Sequence, residues 1–353
     1  MLKLGIAGIG VIANDYIALI SQGRVKTVEI SALCSRNEAN CQHAIDQHQL
    51  KNVTFFTDYT AMLDSKSIDA VLICTPHPQH PLMTIQALER DIHVLVEKPV
   101  GSQVSEVEQA VHLLEHRPNL VCGVMYNRRM SAVYQKAKEL LVSGTVGNIK
   151  RVSWLITNLY RTNAYYRSSP WRGKWSTEGG GLLMTQASHQ LDLLQWLCGV
   201  PTAVMAECHT VEREIEVENE ATLLLRFPGG FSGQFIASGH EYPGSNRLEM
   251  AGSLGTLTII DDKQLMLHSL TIDEGKFANE NNALFGTIPY QTTCYDILPD
   301  DNLTQQAATL QNFADAISGK ATISCSLQEG LSSLKIIQSS YQSSNLNQWI
   351  TLK

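Results

Sequence analysis

The chain has 353 residues and is 44 % hydrophobic and 17 % charged, so it can bury more than one core usually holds, and two domains are expected. Its formal net charge of −7 and the lack of any Lys/Arg-rich run argue against a phosphate backbone as partner. No apolar stretch approaches the ~18 residues of a membrane span, so neither nucleic acid nor membrane is an expected partner.

Residues 2–7 read as an apolar strand leading into Gly8-Ile9-Gly10-Val11-Ile12-Ala13 and an amphipathic stretch over 12–22. The alternation continues with strands expected at 29–34, 70–74, 93–96 and 120–124, and helices at 38–48, 80–90 and 105–115. Strands that alternate with helices imply a parallel sheet covered on both faces, a doubly wound Rossmann domain over residues 1–125. The segment 93–99 runs from an apolar strand into Glu97, Lys98 and then Pro99, which places an amine at a strand's carboxyl end. Ligands of open α/β sheets bind in the crevice outside those ends.

From Met125 the pattern changes. A helix is expected at 132–141, a strand at 149–158, an aromatic and arginine-rich loop at 160–175, then three glycines and a helix at 182–197. Strands follow at 203–211, 221–227, 231–238, 247–251, 256–260 and 264–269, with Pro228-Gly229-Gly230 as a hairpin turn. Consecutive strands on short connections imply a second α/β domain, residues 126–353, with a large open and mostly antiparallel sheet. Such a face commonly finds a partner, so a homodimer or homotetramer through it is expected. Residues 279–301 read as a polar loop, and helices at 303–318 and 326–339 and a strand at 349–352 close the chain.

Eight cysteines are scattered without a CxxC pair, and a strand begins within three residues of Met1, leaving no room for a signal peptide. Residence in a reduced cytoplasm is therefore expected. His77 and His80 form an HxxH pair without a third ligand nearby, so no metal is expected.

The GxGxxA turn, with a strand before it and a helix after, suits a dinucleotide. Gly8 permits the tight turn, Gly10 removes the Cβ that would block a pyrophosphate, and the helix opening at Val11 and Ile12 receives it. About 20 residues further on an aspartate would select NAD by accepting from both ribose hydroxyls. Here Ser35 and Arg36 supply a hydroxyl and a guanidinium suited to a 2′-phosphate, so NADP is expected over NAD.

The segments 5–13, 73–80 and 94–99, in that order, resemble the glucose-fructose oxidoreductase / inositol dehydrogenase (Gfo/Idh/MocA) family. So does the second half, with Trp171-Arg172-Gly173-Lys174-Trp175, the glycines 179–181, and His189 with Asp192. The resemblance covers essentially the whole chain. It implies a Rossmann domain, a second domain whose open sheet carries oligomerisation, and a sugar, sugar derivative or cyclitol bound between the domains. Thr75, Pro76 and His80 match the family's loop at the nicotinamide end of the cofactor, Glu97, Lys98 and Pro99 its lysine motif, and His189 its histidine. Many members carry aspartate four residues before that histidine; this chain has Thr185.

Oxidising a carbinol requires hydride loss to the nicotinamide and removal of the hydroxyl proton. His189, with an intrinsic pKa near ~6.5, and Lys98, if desolvated, are the groups expected to handle that proton. Tyr160, Arg161, Tyr165, Trp171, Arg172 and Thr185 are expected, with His189, to line the substrate pocket, since rings stack on sugar C–H surfaces and Arg donates to hydroxyl or acidic oxygens. Trp175 fits that wall and interface packing equally well. Two other readings stand beside the dehydrogenase: a dinucleotide-binding regulator that performs no chemistry, and a reductase of keto-sugars or dicarbonyls using the same residues as acids.

Overall fold

A computed structural model describes residues 1–352 and resolves the chain into two compact units. The first comprises Met1–Met130 and Asp301–Leu334, and the second Ser131–Asp300 and the chain from Lys335 onward.

The first unit is built on a six-stranded parallel sheet in the order β3-β2-β1-β4-β5-β6. Its strands are β1 (Leu2–Ala7), β2 (Val28–Cys34), β3 (Thr54–Phe56), β4 (Ala70–Ile73), β5 (His93–Val96) and β6 (Cys122–Val124). The connecting helices are α1 (Val11–Ser21), α2 (Glu38–His48), α3 (Tyr59–Asp64), α4 (His80–Leu88) and α5 (Val104–Glu115). β4 is buried along its whole length and β5 from Val94 on, as strands with both faces covered must be. The strand order reverses at β1 and β4, the switch point that opens a crevice at the strands' carboxyl ends. Ala7 pairs with Ile73 and Ile73 with Val96, so Gly8, Cys74 and Glu97 leave the sheet side by side.

β3 and α3 are missed by sequence reading. A three-residue strand shows no periodicity, although Asp58 marks the start of α3 by accepting from the Ala61 N–H at 2.7 Å.

Residues 301–334 pack with the first unit, whereas a division at 125/126 assigns them to the second domain. Ala307, Leu310, Phe313 and Ala314 of the helix Asn302–Ile317 share one core with Leu4, Tyr16, Ile17 and Ile20. That helix covers the apolar flank of α1. Beyond it, Val124 N–H donates to the Cys325 carbonyl at 3.0 Å, and the buried Arg129 guanidinium pairs with Glu329 at 2.5 Å. A cation with 1 % exposure needs such a partner.

The second unit carries a nine-stranded sheet in the order β14-β13-β12-β11-β7-β10-β9-β8-β15. Its strands are β7 (Ile149–Ile156), β8 (Ala203–His209), β9 (Glu220–Arg226), β10 (Ser232–Ser238), β11 (Asn246–Gly252), β12 (Gly255–Ile260), β13 (Gln264–Leu270), β14 (Tyr290–Tyr295) and β15 (Ile350–Thr351). β7 and β10 run parallel and the remaining pairs are antiparallel. Alternation is clear along β7, where Val152, Trp154 and Ile156 are buried while the other face carries exposed Arg151 and partly covered Ser153 and Leu155. Pro228-Gly229-Gly230 is the expected hairpin turn, closed by the Gly230 N–H on the Phe227 carbonyl at 3.1 Å.

Two expectations are corrected in this unit. The polar loop at 279–301 contains β14, an edge strand whose Tyr-Gln-Thr-Thr-Cys-Tyr sequence shows no alternation because almost all of it is exposed. The helix expected at 182–197 is two helices, Leu182–Thr185 and Ser188–Cys198. The Leu182 carbonyl accepts from both Gln186 and Ala187 N–H groups, which turns the backbone before the second helix begins.

Truncating Phe313 to alanine should destabilise the first unit by about 3–5 kcal/mol, the usual cost of a buried aromatic. Urea denaturation of the full chain reads this directly, and an unchanged midpoint would show that the late helix is not part of that core.

Candidate functional site

The turn after β1 is fixed by close approach. Gly8 has φ +89°, and a Cβ there would lie 2.7 to 2.8 Å from backbone atoms of Cys74 and Thr75. Gly10 differs: a Cβ there would meet nothing within 4 Å, so its hydrogen faces open space. α1 starts at Val11, 86 % exposed, with no side-chain cap and no acid in its first turn among the described residues. Free helical N–H groups around unfilled space are what a diphosphate requires. Ala13, fully buried, seats the helix on the sheet, and Ile12 packs its side chain on the same core, so Ile12 can offer only its backbone.

Beside this turn lies a cavity of about 340 Å³ whose wall includes Gly8, Ser35, Arg36, Asn37, Asn40 and Gln79. Thr75 and Pro76 also line it. Among the described residues no carboxylate does. Asn37 caps α2 by accepting from the Ala39 N–H at 3.1 Å, while the Arg36 side chain is exposed. Asn40 and Gln79 belong to this wall but carry no sequence signal, since only the fold brings α2 and the β4 loop to one cavity.

Lys98 follows β5 and is half-buried. The Glu97 carboxylate beside it is buried and occupied by protein donors: Tyr16 donates its hydroxyl to Oε1, and Lys98 N–H donates to Oε2 at 3.0 Å. Burial pushes the Glu97 carboxyl up, opposed by the Tyr16 hydroxyl and the Lys98 ammonium. Glu97, expected as a cofactor contact, thus has both oxygens engaged from within the unit. His80 is placed likewise. Its Nδ1 lies 2.8 Å from the Pro99 carbonyl and its Nε2 2.7 Å from the Thr75 carbonyl, with no exposed surface. Burial pushes its pKa down against these carbonyls. Both ring nitrogens thus face backbone carbonyls, of the loops after β4 and β5, and the neutral ring donates to one of them.

In the second unit the organising group is Glu218, which sequence reading passed over. It is buried, accepts from Gly181 N–H at 2.8 Å, Leu183 N–H at 2.9 Å and the Tyr341 hydroxyl at 2.9 Å. Two of the three glycines are explained by these neighbours, and Gly179, with φ +75°, closes the short helix Trp175–Glu178. A Cβ on Gly181 would come within 2.0 Å of the Glu218 carbonyl, and one on Gly180 within 2.3 Å of the Tyr341 hydroxyl. Thr185 then donates to the Gly181 carbonyl at 2.8 Å, so its hydroxyl serves the helix in a place where a carboxylate is common in the resembled family. His189 is half-buried in the helix Ser188–Cys198, and Asp192 one turn later has no exposed surface.

Ahead of the glycines, the Arg172 guanidinium lies 4.2 Å from the Tyr165 ring centre and 4.4 Å from that of Trp171. Arg161 stands over the same tyrosine at 5.2 Å and donates to the Tyr160 carbonyl at 2.8 Å. Arg161, Tyr165, Trp171 and Arg172 of the sequence-expected set therefore form one aromatic and cationic cluster, whereas the Tyr160 ring packs on Tyr242 and Arg213; Tyr160 and Trp171 are about two-fifths exposed. Trp175 is set apart: its ring meets Tyr341 edge-on at 5.0 Å and its Nε1 donates to the Glu216 carbonyl at 3.0 Å, a packing role.

A family model described as an oxidoreductase family with an NAD-binding Rossmann fold matches residues 2–126. A second, for the GFO/IDH/MocA C-terminal domain, matches residues 134–258. The uncharacterised oxidoreductase YrbE of Bacillus subtilis is 24 % identical over 347 residues, spanning 96 % of this chain and 93 % of its own. An inositol 2-dehydrogenase of Leifsonia xyli is 26 % identical over 204 residues, 57 % of this chain and 55 % of its own. Among solved structures, the WlbA dehydrogenase of Bordetella pertussis with NADH and UDP-GlcNAcA has a TM-score of 0.80 at 24 % identity, covering 100 % of this chain and 99 % of its own. Levoglucosan dehydrogenase with NADH and levoglucosan has a TM-score of 0.83 at 19 % identity over 99 % of both chains.

Burial pushes the Glu218 carboxyl up to about 7, against its hydrogen bonds. In the unfolded chain it titrates near ~4.3, so between these values the folded state holds a proton that the unfolded state has released. That contribution to stability is full below the lower value and falls away as pH rises towards about 7. The gap in denaturation midpoint between wild type and Glu218→Gln should therefore narrow or invert from pH 5 to pH 8; a gap independent of pH would contradict the assignment.

Proposed function

We propose, from the premise that this chain belongs to the GFO/IDH/MocA oxidoreductase family, that it transfers a hydride between a nicotinamide and a carbinol or carbonyl carbon of a sugar, sugar derivative or cyclitol. The observation that carries this reading is Lys98 emerging at the end of β5, level with the dinucleotide turn after β1 and with Thr75 after β4. The amine thus stands at the rim of a crevice prepared for the cofactor.

The cofactor's diphosphate would rest on Gly10, Val11 and Ile12, and its adenosine end in the cavity walled by Ser35, Arg36, Asn37 and Asn40. When bound, its nicotinamide accepts or returns the hydride. His189 and Lys98 are the groups assigned to the hydroxyl proton: an imidazole can take a proton near neutrality, and an amine can hydrogen-bond the carbinol oxygen or relay the proton. Arg161, Arg172 and the rings of Tyr160, Tyr165 and Trp171 hold the sugar by stacking and by donation to its oxygens. With Thr185 bonded to its own helix, no third group is assigned to the proton.

NADP is the favoured cofactor. A cavity wall with Ser35, Arg36 and Asn40 and no carboxylate offers donors to a 2′-phosphate and nothing that repels it. The open face of the nine-stranded sheet, where Arg151 and Arg247 pair with Glu249, is proposed to carry a homodimer or homotetramer. A reduced cytoplasm suits the eight free cysteines, and no helix among the described residues is long and apolar enough to cross a membrane.

Lys98→Ala should lower turnover by at least about 100-fold, the usual contribution of a positioned proton-transfer group, while NADPH binding followed by nucleotide fluorescence stays within twofold of wild type. A variant that keeps full activity on a substrate found by screening sugars and cyclitols would sink the mechanism. Arg36→Ala should weaken NADPH about tenfold and NADH hardly at all, a loss expected when one charge-assisted contact to phosphate is removed. Equal effects on the two nucleotides would remove the NADP preference.

A further inference from the structure

We propose that Tyr16 is a positioning residue for Lys98, acting through Glu97; the inference rests on the catalytic reading of Lys98 given above. Tyr16 belongs to α1, the helix whose N-terminus would receive the diphosphate, and is 1 % exposed. Its neighbours on that helix face are apolar: Ala13, Ile17 and Ile20. A phenylalanine would fill the same space without burying a hydroxyl, whose desolvation must be offset by a partner. The partner is Oε1 of Glu97, while Oε2 accepts from Lys98 N–H. One buried carboxylate thus joins the cofactor helix to the backbone of the lysine at the crevice rim.

The groups that face this carboxylate come from four elements. Tyr16 approaches from α1, the partly buried Cys74 from the end of β4, Lys98 from the position after Glu97 itself, and His80 from α4 towards the Glu97 carbonyl. Asp15 faces the tyrosine. Burial and the neighbouring carboxyl push the Cys74 thiol up, so it adds no charge. Of the influences that oppose burial at Glu97, the Tyr16 hydroxyl comes first and the Lys98 ammonium second. Removing the hydroxyl leaves Oε1 unsatisfied and drives Glu97 towards its neutral form. Lys98 then loses a nearby negative charge and gives up its proton at lower pH. Packing is conserved in Tyr16→Phe, so the effect falls on charge and orientation at Lys98.

The test is made on the full chain. The pH dependence of Lys98 labelling by acetic anhydride, read by mass spectrometry, gives the titration of the amine; kcat and KM are followed alongside, with NADPH affinity. In Tyr16→Phe the Lys98 titration should move down by about one pH unit, the ordinary effect of losing a close opposite charge, and kcat should fall while NADPH affinity stays within twofold. Glu97→Gln should move it at least as far and serves if the tyrosine variant does not fold. A purely structural role for Tyr16 predicts lower thermal stability with an unshifted Lys98 titration, and that result in both variants would overturn the proposal. Lys98→Ala separates the two levels: if it retains turnover the catalytic reading fails, whereas if it loses turnover and neither variant shifts the titration, only the role of Tyr16 falls.

Discussion

Parallel pairing of β1, β4 and β5 in matched register is the constraint on which the first unit's chemistry depends. Strands buried on both faces admit few polar groups along their length, so the polar residues of this unit collect where the strands stop. Because Ala7, Ile73 and Val96 lie in one row, three chain exits are forced into a single line. Gly8 can then press on the backbone of Cys74 and Thr75, and His80 can reach across from one exit to the next. A register shift of one residue would turn every side chain of a strand to the opposite face and scatter these contacts.

The second unit solves a different problem by different means. Two of its candidate residues, Tyr165 and Thr185, sit on short helices that could not persist alone, since a four-residue helix leaves almost all its terminal groups without intrahelical partners. Glu218 supplies what the helix Leu182–Thr185 lacks, accepting from two N–H groups at its start, and Tyr341 completes the carboxylate's set. Rigidity here comes from a buried acid, whereas the glycine turn after β1 leads into a helix whose first N–H groups have no intrahelical partner and no side-chain cap.

What could be read from the sequence follows how local each cause is. The glycine turn, Lys98 at its strand end and the arginine and tyrosine cluster were legible because neighbouring residues define them. β14 was not, since its place depends on pairing with β13 and it shows no buried face to read. Tyr16 and Glu218 were invisible for the same reason: each resembles an ordinary residue of an amphipathic segment until its partner, Glu97 or the Gly181 backbone, is brought up from a distant part of the chain. His80 shows the converse. Its motif pointed to the cofactor, and nothing in a linear chain could show that two carbonyls, at Thr75 and Pro99, already claim its ring. The late helix was recognised as a helix, yet its host core could be known only from the apolar flank of α1.

That helix has a consequence for how the molecule is made. A ribosome delivers the chain from its N-terminus, and residues 131–300, including β7 to β14, are all synthesised before Leu310 and Phe313 appear. Throughout that interval the flank of α1 bearing Ile17 and Ile20 lacks its native cover, although every strand of the Rossmann sheet already exists. Uncovered apolar surface on a nascent chain is a target for misassociation and for chaperones. The dinucleotide-binding unit, although most of it is translated ahead of residues 131–300, therefore cannot complete its core until the helix Asn302–Ile317 has followed.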